Sequence, residues 1–221
     1  MMRTEELFDL SKTVAAELFT GREYPWEALE DIKSFILALG PTLDKEEFYS
    51  PEEGVWIAKD AKVFPSAYIG APCIVDRGAE IRHCAFIRSS AIVGKGAVVG
   101  NSTELKNVVL FDGVQVPHYN YVGDSILGYK AHMGAGSITS NVRSDKKLVV
   151  VKCGDERIET GRKKVGALLG DRAEIGCNSV LNPGTVIGRD SIVYPTSCVR
   201  GTVPERSIYK NSGEIISRRD V

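Results

Sequence analysis

Residues 69–99 read IGAPCIVDRGAEIRHCAFIRSSAIVGKGAVV, and an aliphatic side chain stands at every sixth position: Ile69, Val75, Ile81, Ile87, Val93 and Val99. The same beat runs back through Val63 to Ile57 and on through Leu105 to Phe111. Four residues after each aliphatic comes a small one: Ala61, Ala67, Cys73, Ala79, Ala85, Ala91, Ala97 and Thr103. A strand alternates with period two and a helix with period 3.6, so a strict period of six belongs to neither. A short strand followed by a tight corner accounts for it. The aliphatic points into a narrow prism, and the small residue fits where the corner crowds the interior. Three hexapeptides make one coil of about 18 residues, with coils about 4.8 Å apart as in any sheet. The beat returns at Leu127 and Met133, and again at Leu169, Ile175, Leu181, Ile187, Val193 and Val199.

The interruption is VPHYNYVGD, residues 116–124. Pro117 takes the slot where an aliphatic is due, His118 follows, and the pattern restarts off phase at Tyr121. A bulged corner at this point is expected to push His118 and Tyr121 out of the prism wall. Arg88 and Lys106 lie one coil apart, each directly after an inward aliphatic, and are expected to stack on one edge. Two stacked cations beside a histidine suit a phosphate-bearing substrate. Residues 134–141, GAGSITSN, offer backbone N–H groups to a thioester carbonyl or its oxyanion.

Residues 1–50 lie outside the repeat and read as a helical region, with one helix over 4–19 and a second from Pro25 to Leu39. Their apolar stripes are expected to cover the open end of the prism or an adjacent subunit, as solenoid caps do. Residues 51–221 form the repeat domain, broken by an insertion at about 142–168. Within it LVVVKCGDERIET reads as a hairpin turning near Gly154-Asp155, flanked by Arg143, Lys146, Lys147, Arg162, Lys163 and Lys164. The 221 residues carry a formal net charge of -1, with 26% charged and 43% hydrophobic residues. That balance does not call for a nucleic-acid or membrane partner. With no apolar signal core and five scattered cysteines lacking CxxC spacing, a soluble cytoplasmic protein with buried cysteines is expected.

The repeat resembles the hexapeptide-repeat proteins. The resemblance implies a mainly β fold, a left-handed parallel β-helix with an N-terminal helical cap and a hairpin-like insertion, assembled as a homotrimer with sites between neighbouring prisms. HYNYVGDSILGYKAHMGAGSITSN looks like the acetyltransferase half of the bifunctional glucosamine-1-phosphate acetyltransferase/uridylyltransferases. It looks closer still to the archaeal sugar-1-phosphate nucleotidylyltransferase–acetyltransferases, which share the NxRxDxK stretch. The resemblance implies acetyl-CoA as co-substrate and an amino-sugar 1-phosphate, of glucosamine or galactosamine type, as acceptor. It implies His118 as general base with Glu104 orienting it. Substrate contacts fall on Arg88, Lys106, Tyr121, His132 and Lys147, and acyl-CoA contacts on Ala135, Asn141, Cys177 and Pro195. Charge alone adds Arg200, Lys210, Arg218 and Arg219 for the CoA phosphates.

Three positions depart from that pattern: His132 replaces an asparagine, Val142 a tyrosine and Cys177 a serine. They bear on the identity of the sugar more than on the reaction. No glycine-rich nucleotide loop precedes the repeat, so nucleotidyl transfer is not expected of this chain. A metal site would need three clustered histidines, whereas His83, His118 and His132 are 35 and 14 residues apart, so none is expected. The competing reading is a non-catalytic trimer that binds sugar nucleotides or acts as a scaffold.

Overall fold

A computed structural model describes residues 2–218. Its strands are mostly two to four residues long and pair in parallel, coil upon coil. Three columns of inward side chains fill the prism. One runs Ile69, Ile87, Leu105, Val122, Thr139, Leu181, Val199. The second runs Ile57, Val75, Val93, Leu110, Leu127, Leu169, Ile187, Val203. The third runs Val63, Ile81, Val99, Val116, Met133, Ile175, Val193, Tyr209. Nearly all are fully buried, as are the corner residues Ala79, Ala85, Ala91, Ala97, Thr103, Ala131 and Ser137. This is a parallel β-helix of the left-handed hexapeptide type.

The phase slip falls earlier than the sequence suggested. Val93 pairs with Leu110, so the inward slot belongs to Leu110 and not to Phe111. Only five positions separate Leu105 from Leu110, and again Val122 from Leu127. Val116, not Pro117, then continues the third column opposite Val99. Each turn in this part of the wall passes through a residue in the left-handed region: Ser90 (φ 53°), Asn107 (φ 56°) and Asp124 (φ 48°). Asparagine and aspartate tolerate that conformation better than other side chains. The displaced Phe111 turns outward and packs on Phe8 and Phe19, with ring centroids 5.1 and 5.8 Å away.

Those partners belong to the N-terminal segment, which does not form the continuous helix expected over 4–19. It has an α-helix at Thr4–Leu7 and 3-10 turns at Leu10–Lys12 and Ala16–Phe19. Asp9 accepts the Ser11 N–H (3.0 Å) and Thr13 the Ala15 N–H (3.1 Å). Such local side-chain bonds compete with helix propagation. Pro25–Glu30 is likewise a 3-10 turn, leading into the α-helix Ile32–Leu39.

Only the last part of the segment reaches the end of the prism, where Phe48–Tyr49 pairs antiparallel with Val55–Ala58. The part before it runs along the corner as a strap: Asp171 N–H donates to Leu7 O, Asp112 N–H to Lys12 O and Asn107 Nδ2 to Leu29 O. Gly40 lies against the Trp56 ring. The Asp171 carboxylate accepts the Asp9 and Tyr129 N–H groups, both at 2.8 Å. Burial raises its pKa from the ordinary carboxylate value, and these two bonds work against that shift.

The insertion forms the expected antiparallel hairpin, Val150–Cys153 with Glu156–Glu159, turning at Gly154 (φ 56°). Val142 and Lys164 bridge its neck. Cysteine burial was expected throughout but holds fully only for Cys73, whose thiol burial pushes up to about 12. Cys84, Cys177 and Cys198 are exposed because they sit at outward corner or strand positions. No helix among the described residues is long and apolar enough to cross a membrane.

Candidate active site

His118 ends the strand Gln115–His118, opposite Asn101, and its side chain is exposed. Its carbonyl accepts the Gly136 N–H (3.0 Å). The Ala135 carbonyl accepts from Asn178 N (2.8 Å), and the Cys177 carbonyl from Thr196 N (2.8 Å). These bonds set His118, Ala135, Cys177 and Pro195 on one edge, on successive coils at about the 4.8 Å sheet spacing. The Ala135 and Cys177 amides donate to no other group among the described residues. An extended ligand laid along this edge therefore meets a histidine at one end and open N–H groups beside it.

Asn120 holds the corner between His118 and Tyr121. It occupies a slot otherwise reserved for small residues and is 2% exposed. Its Oδ1 accepts the His118 N–H (3.2 Å). Its Nδ2 donates to Gly134 O (2.9 Å), Ser137 O (3.2 Å) and Ser137 Oγ (3.1 Å). A buried amide with all its bonds made fixes the histidine corner to the Ala135 turn one coil away.

The face beyond that corner carries the second half of the site. Tyr121 lies beside Glu104 in register, and Glu104 takes the Arg88 guanidinium at 2.9 Å. Arg88 is the extra residue of a β-bulge, for Ser89 and not Arg88 opposes Lys106. The two cations therefore diverge instead of stacking as expected: Lys106 Nζ lies 3.5 Å from Asp124 Oδ2. No hydrogen bond joins Glu104 to His118 among the described residues.

Asp124, 4% exposed, is the hub of this corner. Its carboxylate accepts from Asn141 Nδ2 (2.6 Å) and Asn107 Nδ2 (3.1 Å) besides meeting Lys106. Asn141 Nδ2 also donates to the Tyr121 hydroxyl (3.2 Å). With its N–H groups engaged, Asn141 presents its Oδ1, and Tyr121 keeps its own proton for a ligand. Burial raises the Tyr121 pKa, helped by the Asp124 and Glu104 charges, so the phenol stays protonated.

The remaining residues stand apart. His132 lies on the third face, its Nδ1 2.8 Å from Glu174 Oε2. Lys147 is exposed and follows the turn in which Arg143 holds Asp145 at 2.9 and 2.6 Å. Arg219 lies outside the described residues. Asn120 and Asp124 are the residues that sequence reasoning missed. For Asp124 the available signal was its place at the end of HYNYVGD; for Asn120 it was a bulky amide in a small-residue slot.

A family model described as the GMPPB C-terminal domain matches residues 69–154. A bifunctional sugar-1-phosphate nucleotidylyltransferase/acetyltransferase of Sulfurisphaera tokodaii is 34% identical over 156 residues, 71% of this chain and 39% of that one. The bifunctional protein GlmU of Methanococcus maripaludis is 33% identical over 136 residues, 61% of this chain and 33% of that one. Over these stretches the chain is similar to the GlmU-type proteins. It spans about a third of the length of these GlmU-type relatives. A solved structure of a mutant perosamine N-acetyltransferase from Caulobacter crescentus, with CoA and GDP-perosamine, superposes with a TM-score of 0.37 at 20% identity, covering 74% of this chain and 56% of that one.

Proposed function

We propose that this chain transfers the acetyl group of acetyl-CoA to the amine of an amino-sugar 1-phosphate of glucosamine or galactosamine type, as a homotrimer. The observation that carries the reading is the edge on which His118, Ala135, Cys177 and Pro195 succeed one another, one corner away from Tyr121, Arg88 and Lys106. The name of the Sulfurisphaera tokodaii relative, a sugar-1-phosphate nucleotidylyltransferase/acetyltransferase, agrees with acetyl transfer.

The sugar amine attacks the thioester carbonyl, and the His118 imidazole takes the amine proton as the C–N bond forms. The Ala135 N–H faces the oxyanion of the tetrahedral intermediate, which collapses by releasing the CoA thiolate. The His118 imidazolium returns its proton to that thiolate, which restores the neutral base. Arg88, fixed by Glu104, and Lys106, fixed by Asp124, hold the phosphate, while the Tyr121 hydroxyl donates to it. Holding the phosphate orients the amine and supplies the proximity term. Asn141 Oδ1 accepts from a ligand N–H, while Lys147 and His132 serve the substrate only if a neighbouring copy brings them to this edge. No metal takes part in this route.

Free-thiol release from acetyl-CoA tests it, with glucosamine-1-phosphate and galactosamine-1-phosphate as acceptors. Turnover is expected in the wild type and a fall of about a hundredfold or more in His118→Ala. A wild type that turns over no amino-sugar phosphate would sink the catalytic reading in favour of a binding or scaffold trimer.

A further inference from the structure

The insertion does more than decorate the prism. Its hairpin is held down at fixed points: Val149 and Val151 are fully buried, and a Cβ on Gly184 (φ 77°) would come within 2.8 Å of Val149 Cγ1. The Thr202 hydroxyl donates to the Lys152 carbonyl at 2.7 Å, so the Lys152 backbone is anchored to the next coil. Between hairpin and coils this leaves a cavity of about 400 Å³.

Its floor is one corner position repeated up the prism. Ser140 N–H donates to Leu181 O and Asn182 N–H to Val199 O, so Ser140, Asn182 and Arg200 succeed one another there. Its walls carry Arg143, Asp145 and Lys152. Arg143 and Asp145 cancel each other through their two hydrogen bonds. Lys152 and Arg200 have no carboxylate partner among the described residues, so the cavity carries two uncompensated positive charges. Two cations beside hydroxyl and amide groups in the lining of one recess suit a phosphate group. The cavity adjoins the candidate active site, since Asn141, next to Ser140, is bonded to Tyr121 and Asp124.

We propose that this cavity is a phosphate-binding subsite, built by the insertion, in which Arg200 and Lys152 hold a phosphate of one of the two substrates. The choice of ligand rests on the acyl-transfer reading; the anion site does not. The phosphate is either the 3′-phosphate of CoA or the one on the sugar.

Isothermal titration of the full chain separates these. Pyrophosphate is the bare probe, followed by CoA, dephospho-CoA and glucosamine-1-phosphate. The variants are Arg200→Ser and Lys152→Ser, with Lys59→Ser, exposed on an early coil, as control. Pyrophosphate affinity is expected to fall about tenfold or more in both variants and not in the control, as for the loss of a charge-assisted bond. If CoA weakens likewise while dephospho-CoA does not, the phosphate is that of CoA. If glucosamine-1-phosphate weakens, it is that of the acceptor. Pyrophosphate binding that is absent, or equal in wild type and variants, overturns the subsite. Wild-type affinity of the variants for both substrates overturns its assignment to them. Should the chain show no thiol release and bind neither substrate, the acyl-transfer reading fails while the pyrophosphate arm alone still decides the subsite.

Discussion

Replacing Asp124 by asparagine removes one oxygen acceptor and puts two donors in its place. The native carboxylate serves Asn141 and Lys106 through Oδ2 and Asn107 through Oδ1. An amide cannot serve both sides. Whichever way it turns, its NH2 faces the Nδ2 of Asn107 or of Asn141, donor against donor. At least one hydrogen bond to a buried carboxylate is lost, at about 1.5–3 kcal/mol, and its half-buried partner is left without that acceptor. A total of about 2–3 kcal/mol follows, or roughly 4–12 °C in Tm for a chain of this size.

Thermal unfolding of wild type, Asp124→Asn, Asn141→Ala and the double variant, at one fixed protein concentration, measures the coupling directly. The cycle is expected to return at least about 1 kcal/mol between Asp124 and Asn141. In the thiol assay the KM for the acceptor is expected to rise more than the KM for acetyl-CoA, because Lys106 and Tyr121 lose their fixed positions. A destabilisation under about 0.5 kcal/mol with additive single effects would refute the hub.

Tyr121→Phe is expected to raise the acceptor KM while leaving acetyl-CoA binding unchanged. Because burial raises the phenol pKa, the wild-type KM is expected to stay flat through pH 9 and to climb only as pH rises past the ordinary tyrosine value of about 10, a limb that a KM–pH profile of the phenylalanine variant lacks. Asn120→Ala leaves the His118 N–H and the Ser137 carbonyl short of partners and is expected to cost about 2–3 kcal/mol by denaturant unfolding, with kcat falling more than KM changes. Asp171→Ala strips the acceptor from the Asp9 and Tyr129 N–H groups, so hydrogen exchange at these two amides is expected to speed up at least tenfold while the amides of the coil strands hold. The same variant removes a buried carboxylate whose pKa is raised. That group favours the folded state only near and below its unfolded value of about 3.9, and the advantage is lost as pH rises through the folded pKa.

The prism was legible because its rule is local. Every coil needs an inward aliphatic and a small corner residue, and Ile87, Ala91, Val93 and Ala97 declare both within one turn of sequence. The slip was misplaced because Val108, Val109, Leu110 and Phe111 are all buried and all apolar. Six-residue counting lands on Phe111. What moves the slot to Leu110 is a cover for Phe111 supplied by Phe8 and Phe19, about a hundred residues away in sequence. The strap failed as a helix prediction for a related reason. Its apolar spacing suited a helix, but Asp9 and Thr13 cap backbone amides locally, and its carbonyls bond to coils far along the chain. His118, Ala135, Cys177 and Pro195 could be read from the resemblance; that they form one edge follows only from the coil register.

Why the repeat yields one residue in two successive corners can be argued from the same bonds. A six-residue corner, as at Ile87–Val93, bulges Arg88 outward and turns through the small, buried Ser90. A five-residue corner places Asn107 and Asp124 as left-handed turn residues on adjacent coils, facing the strap. A buried carboxylate is costly unless it is satisfied. Asn107, Asn141 and Lys106 satisfy Asp124, and Asn107 donates as well to Leu29 O of the strap. The shortened corner is thus braced by polar groups without breaking the coil stack, and it is tied to the N-terminal segment. The histidine corner across the face keeps the full six-residue count from Val116 to Val122 and stays outward and exposed. The two corners of one face are built on different counts, which is how a monotonous repeat sets an exposed histidine opposite a braced carboxylate.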